Sequence, residues 1–200
     1  QNHVPLIISP PGYPRTHGQQ CAAVTSHLDL APTMIGWTGV DAGKRASITR
    51  DLRGHDLTPL LAKSAAAGVN DVRRATLYCF NMFGYLDSSL LTKIQAYINA
   101  GGEKSKLADQ GFKPDFSKRG AIRSVFDGRY KYTRYFSPKQ HNQPRTLEGI
   151  FELNDVELFD LETDPGEMRN LAVEPNKHGE LLLAMNDKMN ALIETEVDEP

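Results

Sequence analysis

Residues 156–172 read VELFDLETDPGEMRNLA, and the fold of the chain turns on how they are read. The first half, 156–161, is rich in strand formers, with Leu158 and Phe159 as the expected buried anchors. The second half is turn chemistry. Pro165 presets φ at one turn position, and Gly166 is expected to take the positive φ that a type II turn needs next. Asp164 before the proline and Asn170 beyond it suit caps and turn closures. The stretch predicts a strand running into a rigid corner, then a helical tail.

Upstream, AIRSVF and RYKYTRYF flank Asp127-Gly128, a dipeptide preferred in two-residue type I′ hairpins. With that loop Phe126 pairs with Arg129, Val125 with Tyr130, Ser124 with Lys131 and Arg123 with Tyr132. The last pair suits a cation–π contact. After a polar excursion over 137–146, the strand at Val156 is expected to add to this hairpin. Downstream, Leu182, Met185, Met189 and Leu192 recur at three- and four-residue steps, so residues 180–196 form an amphipathic helix for the face of the small sheet.

Before the hairpin, RATLYCFNMF (74–83) is β-rich and aromatic. SSLLTKIQAYIN (88–99) places Leu91, Ile94, Tyr97 and Ile98 on one helical stripe, with Ser88 as cap and Gly101-Gly102 as stop. Residues 103–118 read as a polar loop. Near the start, VPLIIS (4–9) is a continuous apolar run suited to a strand buried on both faces, closed by Pro10-Pro11-Gly12. A short helix follows, starting near Asp29. Thr25, Ser26 and Asp29 are competent N-caps, Pro32 falls in the first turn, and Gly39 suits a left-handed C-cap. RDLRGHDLTPLLAKS supplies a turn at Arg53-Gly54 and an apolar cluster of Leu57, Leu60 and Leu61. Ala65-Ala66-Ala67-Gly68 reads as a mobile link, and the domain boundary is placed at residue 70.

Charged residues at 24% and hydrophobic ones at 40% place the chain among globular domains. A net charge of −2 argues against nucleic acid or an anionic membrane as the main partner. No apolar run approaches the ~20 residues of a membrane span. Cys21 and Cys79 lack metal-ligand spacing and read as small buried hydrophobes; a disulfide between them stays open.

Two pairs of passages carry a family resemblance. AIRSVFDGRYKYTRYF followed by VELFDLETDPGEMRNLA, and HVPLIISPPG followed by SHLDLAPTMIGWTGV, resemble the C-terminal end of type I sulfatases, the arylsulfatase-like members of the alkaline phosphatase superfamily. HDLTPLL resembles the connector of the same enzymes. The resemblance is firm over 3–12, 26–40 and 121–172 and thin over 41–120. It implies an α/β fold class: residues 1–70 as the end of the alkaline-phosphatase-like catalytic domain, and 71–200 as a subdomain with a small antiparallel sheet and a C-terminal helix. The implied reaction is hydrolysis of a sulfate ester, with a formylglycine nucleophile made from Cys or Ser in a C/S-x-P-x-R motif and a bound Ca²⁺. Two alternatives stand beside it: a phosphonate or phosphodiester hydrolase of the same superfamily, and a non-catalytic structural or interaction module.

The catalytic parts of that reaction do not map onto these residues. Cys21 precedes Ala22-Ala23-Val24 and Cys79 precedes Phe80-Asn81-Met82, so neither lies in the maturation motif. No Asp-Asp pair ends a strand, and Asn154-Asp155 reads as a turn rather than a metal pair. The family places its nucleophile, Ca²⁺ ligands and pocket lysine upstream of the HVPL passage, hence before Gln1. The chain, opening on Gln1-Asn2-His3 without an initiator Met, is expected to be a fragment that is inactive alone, with the upstream part of the same chain as partner and a small sulfate ester as substrate. His3 is the one substrate-pocket candidate. His55, His141 and the run Arg134-Tyr135-Phe136 are pocket-rim candidates for which surface or packing roles are expected, and His27, just before the Asp29 cap, is expected to pack or cap. Asp29 is accounted for as a helix cap, and Asp127 as a turn residue.

Overall fold

Four short segments rich in strand formers become strands: β1 (Thr76–Asn81), β2 (Ala121–Phe126), β3 (Tyr130–Phe136) and β4 (Asp155–Asp160). They form one antiparallel sheet in the order β1-β2-β3-β4, so each strand pairs with its neighbour in sequence. The structure, a computed structural model, describes residues 4–9, 18–82 and 87–197. Among the described residues six α-helices accompany the sheet: α1 (Leu30–Trp37), α2 (Ala42–Ile48), α3 (Thr58–Leu61), α4 (Ser88–Asn99), α5 (Leu147–Leu153) and α6 (Pro175–Leu192). The chain divides into two compact units. One comprises Gln1–Leu77, Val125–Tyr130 and Lys188–Pro200; the other comprises Tyr78–Ser124 and Lys131–Asp187.

In the second unit the 156–172 stretch behaves largely as its sequence predicts. β4 pairs with β3 at the side of the sheet, Leu158 is fully buried and Phe159 is 7% exposed. The corner differs in type. Glu167 N–H donates to Asp164 O (3.1 Å), closing a turn with Pro165 at its first central position. The positive φ falls on Glu167 (56°) rather than on Gly166. The Asp164 carboxylate accepts from the N–H groups of Met168 (3.1 Å) and Arg169 (2.8 Å), which stabilises the left-handed residue between them. Asn170 then closes the outer side of β4. Its Oδ1 accepts from Leu158 N–H (2.9 Å) and Ala172 N–H (3.0 Å), and its Nδ2 donates to Val156 O (3.1 Å). One carboxamide thus stands in for a peptide of a further strand.

The hairpin keeps its faces and changes its register. Asp127 N–H donates to Tyr130 O (3.2 Å), so Gly128-Arg129 is the loop. The Ser124 and Thr133 hydroxyls meet at 2.8 Å, which places Arg123 opposite Arg134 instead of Tyr132. The shift is two residues, so every side chain stays on its expected face. Gly128 has φ 98° while Arg129, the second loop residue, stays out of the positive region, which rules out type I′. A Cβ on Gly128 would also sit 2.1 Å from Val69 Cγ1, so the turn needs glycine for space as well as conformation. The Asp127 carboxylate accepts from the N–H groups of Arg129 and Tyr130 and pairs with Lys188. The cation–π partner of Arg123 is Phe136, 5.4 Å from the ring centre.

α6 buries Leu182, Met185 and Met189 completely. Its backbone bends at His178 (φ −115°), so the regular helix begins about where the apolar stripe does. Beyond Leu192 a π-helical turn, Ile193–Val197, brings Ile193 (2% exposed) to the position expected of Leu192. α4 spans the expected residues, but its cap is Asp87, whose Oδ1 accepts from Leu90 N–H (3.1 Å). Gly101 ends it in the left-handed region (φ 89°), and Gly102 N–H donates to Tyr97 O (3.0 Å) where a Cβ would fall 2.3 Å from the Tyr97 ring.

In the first unit the expected strand at 4–9 does not form. Those residues carry no regular structure, and Val4, Leu6 and Ile7 are exposed. A strand exists only through backbone pairing with a neighbour, and among the described residues none pairs with this one. Ile8 instead packs against the cluster of Leu57, Leu60 and Ala67, the last of which the sequence reading assigned to a link. Cys21 and Cys79 are both exposed and not disulfide-bonded, contrary to the buried reading. Cys21 lies in a segment without regular structure, and Cys79 lies on the outer strand β1.

Candidate functional site

The most strongly charged interior cluster begins at the helix expected to be capped by Asp29. Ser26 takes the cap instead, and its N–H donates to Asp29 Oδ2 (2.7 Å) in a reciprocal capping box. That frees the other face of the carboxylate, which is completely buried. Asp29 Oδ1 accepts from His55 N–H (2.8 Å) and from Arg73 Nη2, and Oδ2 accepts from Arg73 Nε (3.2 Å). Arg73 Nη1 donates to Glu196 Oε1 (2.7 Å). One buried guanidinium therefore ties the start of α1 to the end of the described chain. Burial works against the Arg73 charge, but Asp29 and then Glu196 more than reverse it and hold its pKa above the ordinary value. Gly54 lets the loop that carries His55 come this close: a Cβ there would lie 1.8 Å from Leu28 O.

A second polar cluster lies in the sheet unit. Arg134 is 1% exposed, and its Nη1 donates to Asn186 Oδ1 (3.1 Å). Asn186 in turn donates to Pro144 O (2.7 Å) and lies within 3.4 Å of the Tyr132 hydroxyl. Burial is the main influence on Arg134 and lowers its pKa; Tyr132 opposes that and Arg123 adds to it. Burial likewise raises the pKa of the Tyr132 hydroxyl.

These two clusters place the sequence-derived candidates. His3 lies outside the described residues. His27 is exposed, and His55 contributes only its backbone N–H, with its side chain exposed. His141 is exposed and meets Phe136 edge-on at 5.5 Å. Arg134 and Phe136 are interior rather than rim residues, while the Tyr135 hydroxyl donates to Glu157 (2.9 Å). Asn154 caps α5, donating to Ile150 O (2.9 Å) and Asn142 Oδ1 (3.1 Å), and Asp155 pairs with Arg119 (2.6 Å). Sequence reasoning missed Arg73, Glu196 and Asn186. The last had a signal: an asparagine one residue beyond Met185 on the buried stripe of a helix.

Chemically, the first cluster neutralises charge inside the protein and the second hydrogen-bonds a buried guanidinium to a neutral carboxamide; neither gathers groups around an open reacting position. Among the described residues no group of three or more His, Cys, Asp or Glu could hold a metal ion. A hard dication such as Ca²⁺ takes ~6–8 oxygen ligands, and the described residues do not fit that requirement. No described helix is long and apolar enough to cross a membrane.

No protein-family model and no curated protein sequence matches the chain. Solved structures do. A Bacteroides thetaiotaomicron sulfatase from a locus for metabolism of multiple glycosaminoglycans matches with TM-score 0.50 and 21% identity, over 86% of this chain and 27% of its own. The phosphonate monoester hydrolase of Agrobacterium radiobacter matches with TM-score 0.51 and 20% identity, over 91% of this chain and 27% of its own. That of Silicibacter pomeroyi matches with TM-score 0.50 and 21% identity, over 86% and 26%. The antiparallel sheet with its C-terminal helix, and the likeness to these structures, establish the fold: it is the fold of one part of sulfatase and phosphonate monoester hydrolase structures, and the chain spans 26–27% of their length.

Proposed function

We propose that these residues are the C-terminal part of a longer sulfatase-fold hydrolase that cleaves sulfate esters. The boundary between the end of its catalytic domain and its C-terminal subdomain would lie near residue 70. The observation that carries the reading is the asymmetry of the structural match: it takes in 86% of this chain and only 27% of the sulfatase. The sulfatase-like passages at 26–40 and 121–172 support the same assignment.

In this reading the formylglycine nucleophile and the Ca²⁺ would both be held by sequence outside these residues. The task of the described residues is mechanical. The Asp29–Arg73–Glu196 network fixes the start of α1, and the sheet with α6 forms a closed buttress. His3 is the one residue assigned to the substrate pocket. A second reading, phosphonate monoester hydrolysis, is favoured by a specific observation: two structures matching at TM-score 0.50 or above have that name.

The test compares an aryl sulfate with an aryl phosphonate monoester on the full polypeptide. Faster sulfate turnover supports the first reading and faster phosphonate turnover the second. Absence of both, with a folded protein, returns the chain to the non-catalytic module. His3→Ala in the same polypeptide is expected to raise KM more than it lowers kcat.

A further inference from the structure

Arg73 and Arg134 are both buried guanidiniums, and their surroundings differ in kind. Arg73 meets two carboxylates, Asp29 and Glu196. Arg134, 1% exposed on β3, meets none among the described residues. Its Nη1 donates to the neutral carboxamide of Asn186 on α6 (3.1 Å), and its Nε is buried with no hydrogen-bond partner. The groups that act on its charge are the Tyr132 phenol and a second arginine, Arg123, which stands opposite it across β2 and β3. Tyr132 is fully buried, and its hydroxyl reaches Asn186 Oδ1 only at 3.4 Å, well beyond the ~2.7–2.8 Å of an ordinary O–H···O bond. Tyr132 and Arg134 are two residues apart on one strand, so they share a face. That face holds a buried cation, an unmatched N–H and a weakly matched O–H. Burying such groups without an acceptor is unfavourable.

We propose that a chloride ion occupies the interior beside Arg134 Nε, accepting from that N–H and from the Tyr132 hydroxyl. Three considerations select it. The missing partner is an acceptor, since both under-satisfied groups are donors. It is negatively charged, because a water would satisfy Nε and leave the guanidinium uncompensated, with Arg123 adding a like charge beside it. It is also small and diffusible. Arg134 and Tyr132 are 1% and 0% exposed, so the residues of this chain already cover them, and a carboxylate from elsewhere in the polypeptide has no way in. The ion does for the sheet what Asp29 does for α1: it is a buried counter-charge, here supplied by the solution. The inference is independent of which ester the full polypeptide cleaves.

The test follows thermal unfolding of the full polypeptide by circular dichroism, first in sodium gluconate and then with chloride restored at constant ionic strength. The unfolding temperature is expected to rise by roughly 2 °C or more and to saturate with chloride, as binding to the folded state alone requires. Bromide should act in the same way. Arg134→Met places an apolar chain of similar length at the position and should abolish the rise. Tyr132→Phe should increase the half-saturating chloride concentration roughly threefold to tenfold, the worth of one hydrogen bond. No rise in the unsubstituted protein, or an equal rise in Arg134→Met, would overturn the proposal. If Arg134→Met does not fold, crystals of the unsubstituted protein grown in bromide decide the matter. An anomalous bromide peak in contact with Arg134 Nε supports the site; bromide at the surface only, or a water at Nε, overturns it.

Discussion

Helices α1 and α6 invert the usual relation between composition and burial. α6 carries lysines, asparagines and acidic residues, yet its stripe of Leu182, Met185 and Met189 is sealed completely. α1 is almost wholly apolar and leaves Met34 and Trp37 in solvent. The difference lies in what each can pack against. In the second unit, Asn186 of α6 accepts from Arg134 and lies beside the Tyr132 hydroxyl of the sheet. α1 meets one loop and is held there by an ion network. A helix is therefore completed by its surroundings more than by its own stripe.

The comparison breaks most sharply at Arg73. Arg73→Ala leaves Asp29 buried without its cation and is expected to cost about 3–5 kcal/mol, read as a shift in denaturant midpoint at constant slope. A loss below ~1 kcal/mol would mean that water replaces the guanidinium and that α1 is held by packing.

On the sheet side, Leu158→Ala is expected to cost about 2–5 kcal/mol, since it opens a cavity beneath the sheet. Unfolding followed by circular dichroism should stay one cooperative step; two steps would show that the sheet is not the centre of its unit.

Asn170→Ala removes the carboxamide that completes the outer strand, leaving backbone groups of Val156 and Leu158 to water. About 1–3 kcal/mol is expected, with faster hydrogen exchange confined to β4. Unchanged exchange at Leu158 would show that the carboxamide does not hold the strand.

The smallest effect sits at Tyr135. Burial, and after it the Glu157 carboxylate, push its hydroxyl up to about 12 from 10.0. The folded state therefore keeps its proton after the unfolded chain has lost it. The stability it contributes is whole below pH 10 and is lost as pH rises from there through about 12. Tyr135→Phe should flatten that alkaline decline, measured by urea unfolding across the window. An identical slope in the variant would place the decline elsewhere.

How much of this the sequence disclosed follows from the range of the interactions. The strand at Val156, the helix at Ser88 and the stripe of α6 rest on local periodicity and were legible. The hairpin was legible in its faces but not in its register, because the Asp127 side chain, by accepting the N–H groups of Arg129 and Tyr130, moved the loop one residue onward. Asp29 was misread for a related reason: a competent cap and a buried ion-pair partner look alike until residues 44 positions away are known to arrive. The run at 4–9 has the pattern of an interior strand, but the neighbour that would make it one is not encoded in a local pattern. Of the site, the sequence supplied candidates and their expected structural roles; the burial of Arg134 and the tie from Arg73 to Glu196 depend on the assembled fold.

The central claim is that these residues buttress a reaction whose chemical groups lie elsewhere in the polypeptide. The direct measurement is turnover of an aryl sulfate and an aryl phosphonate monoester by the purified 200-residue chain, with Ca²⁺ supplied. The account predicts a rate indistinguishable from buffer for both esters. Sustained, enzyme-proportional hydrolysis of either would place a complete reactive centre within these residues and contradict it.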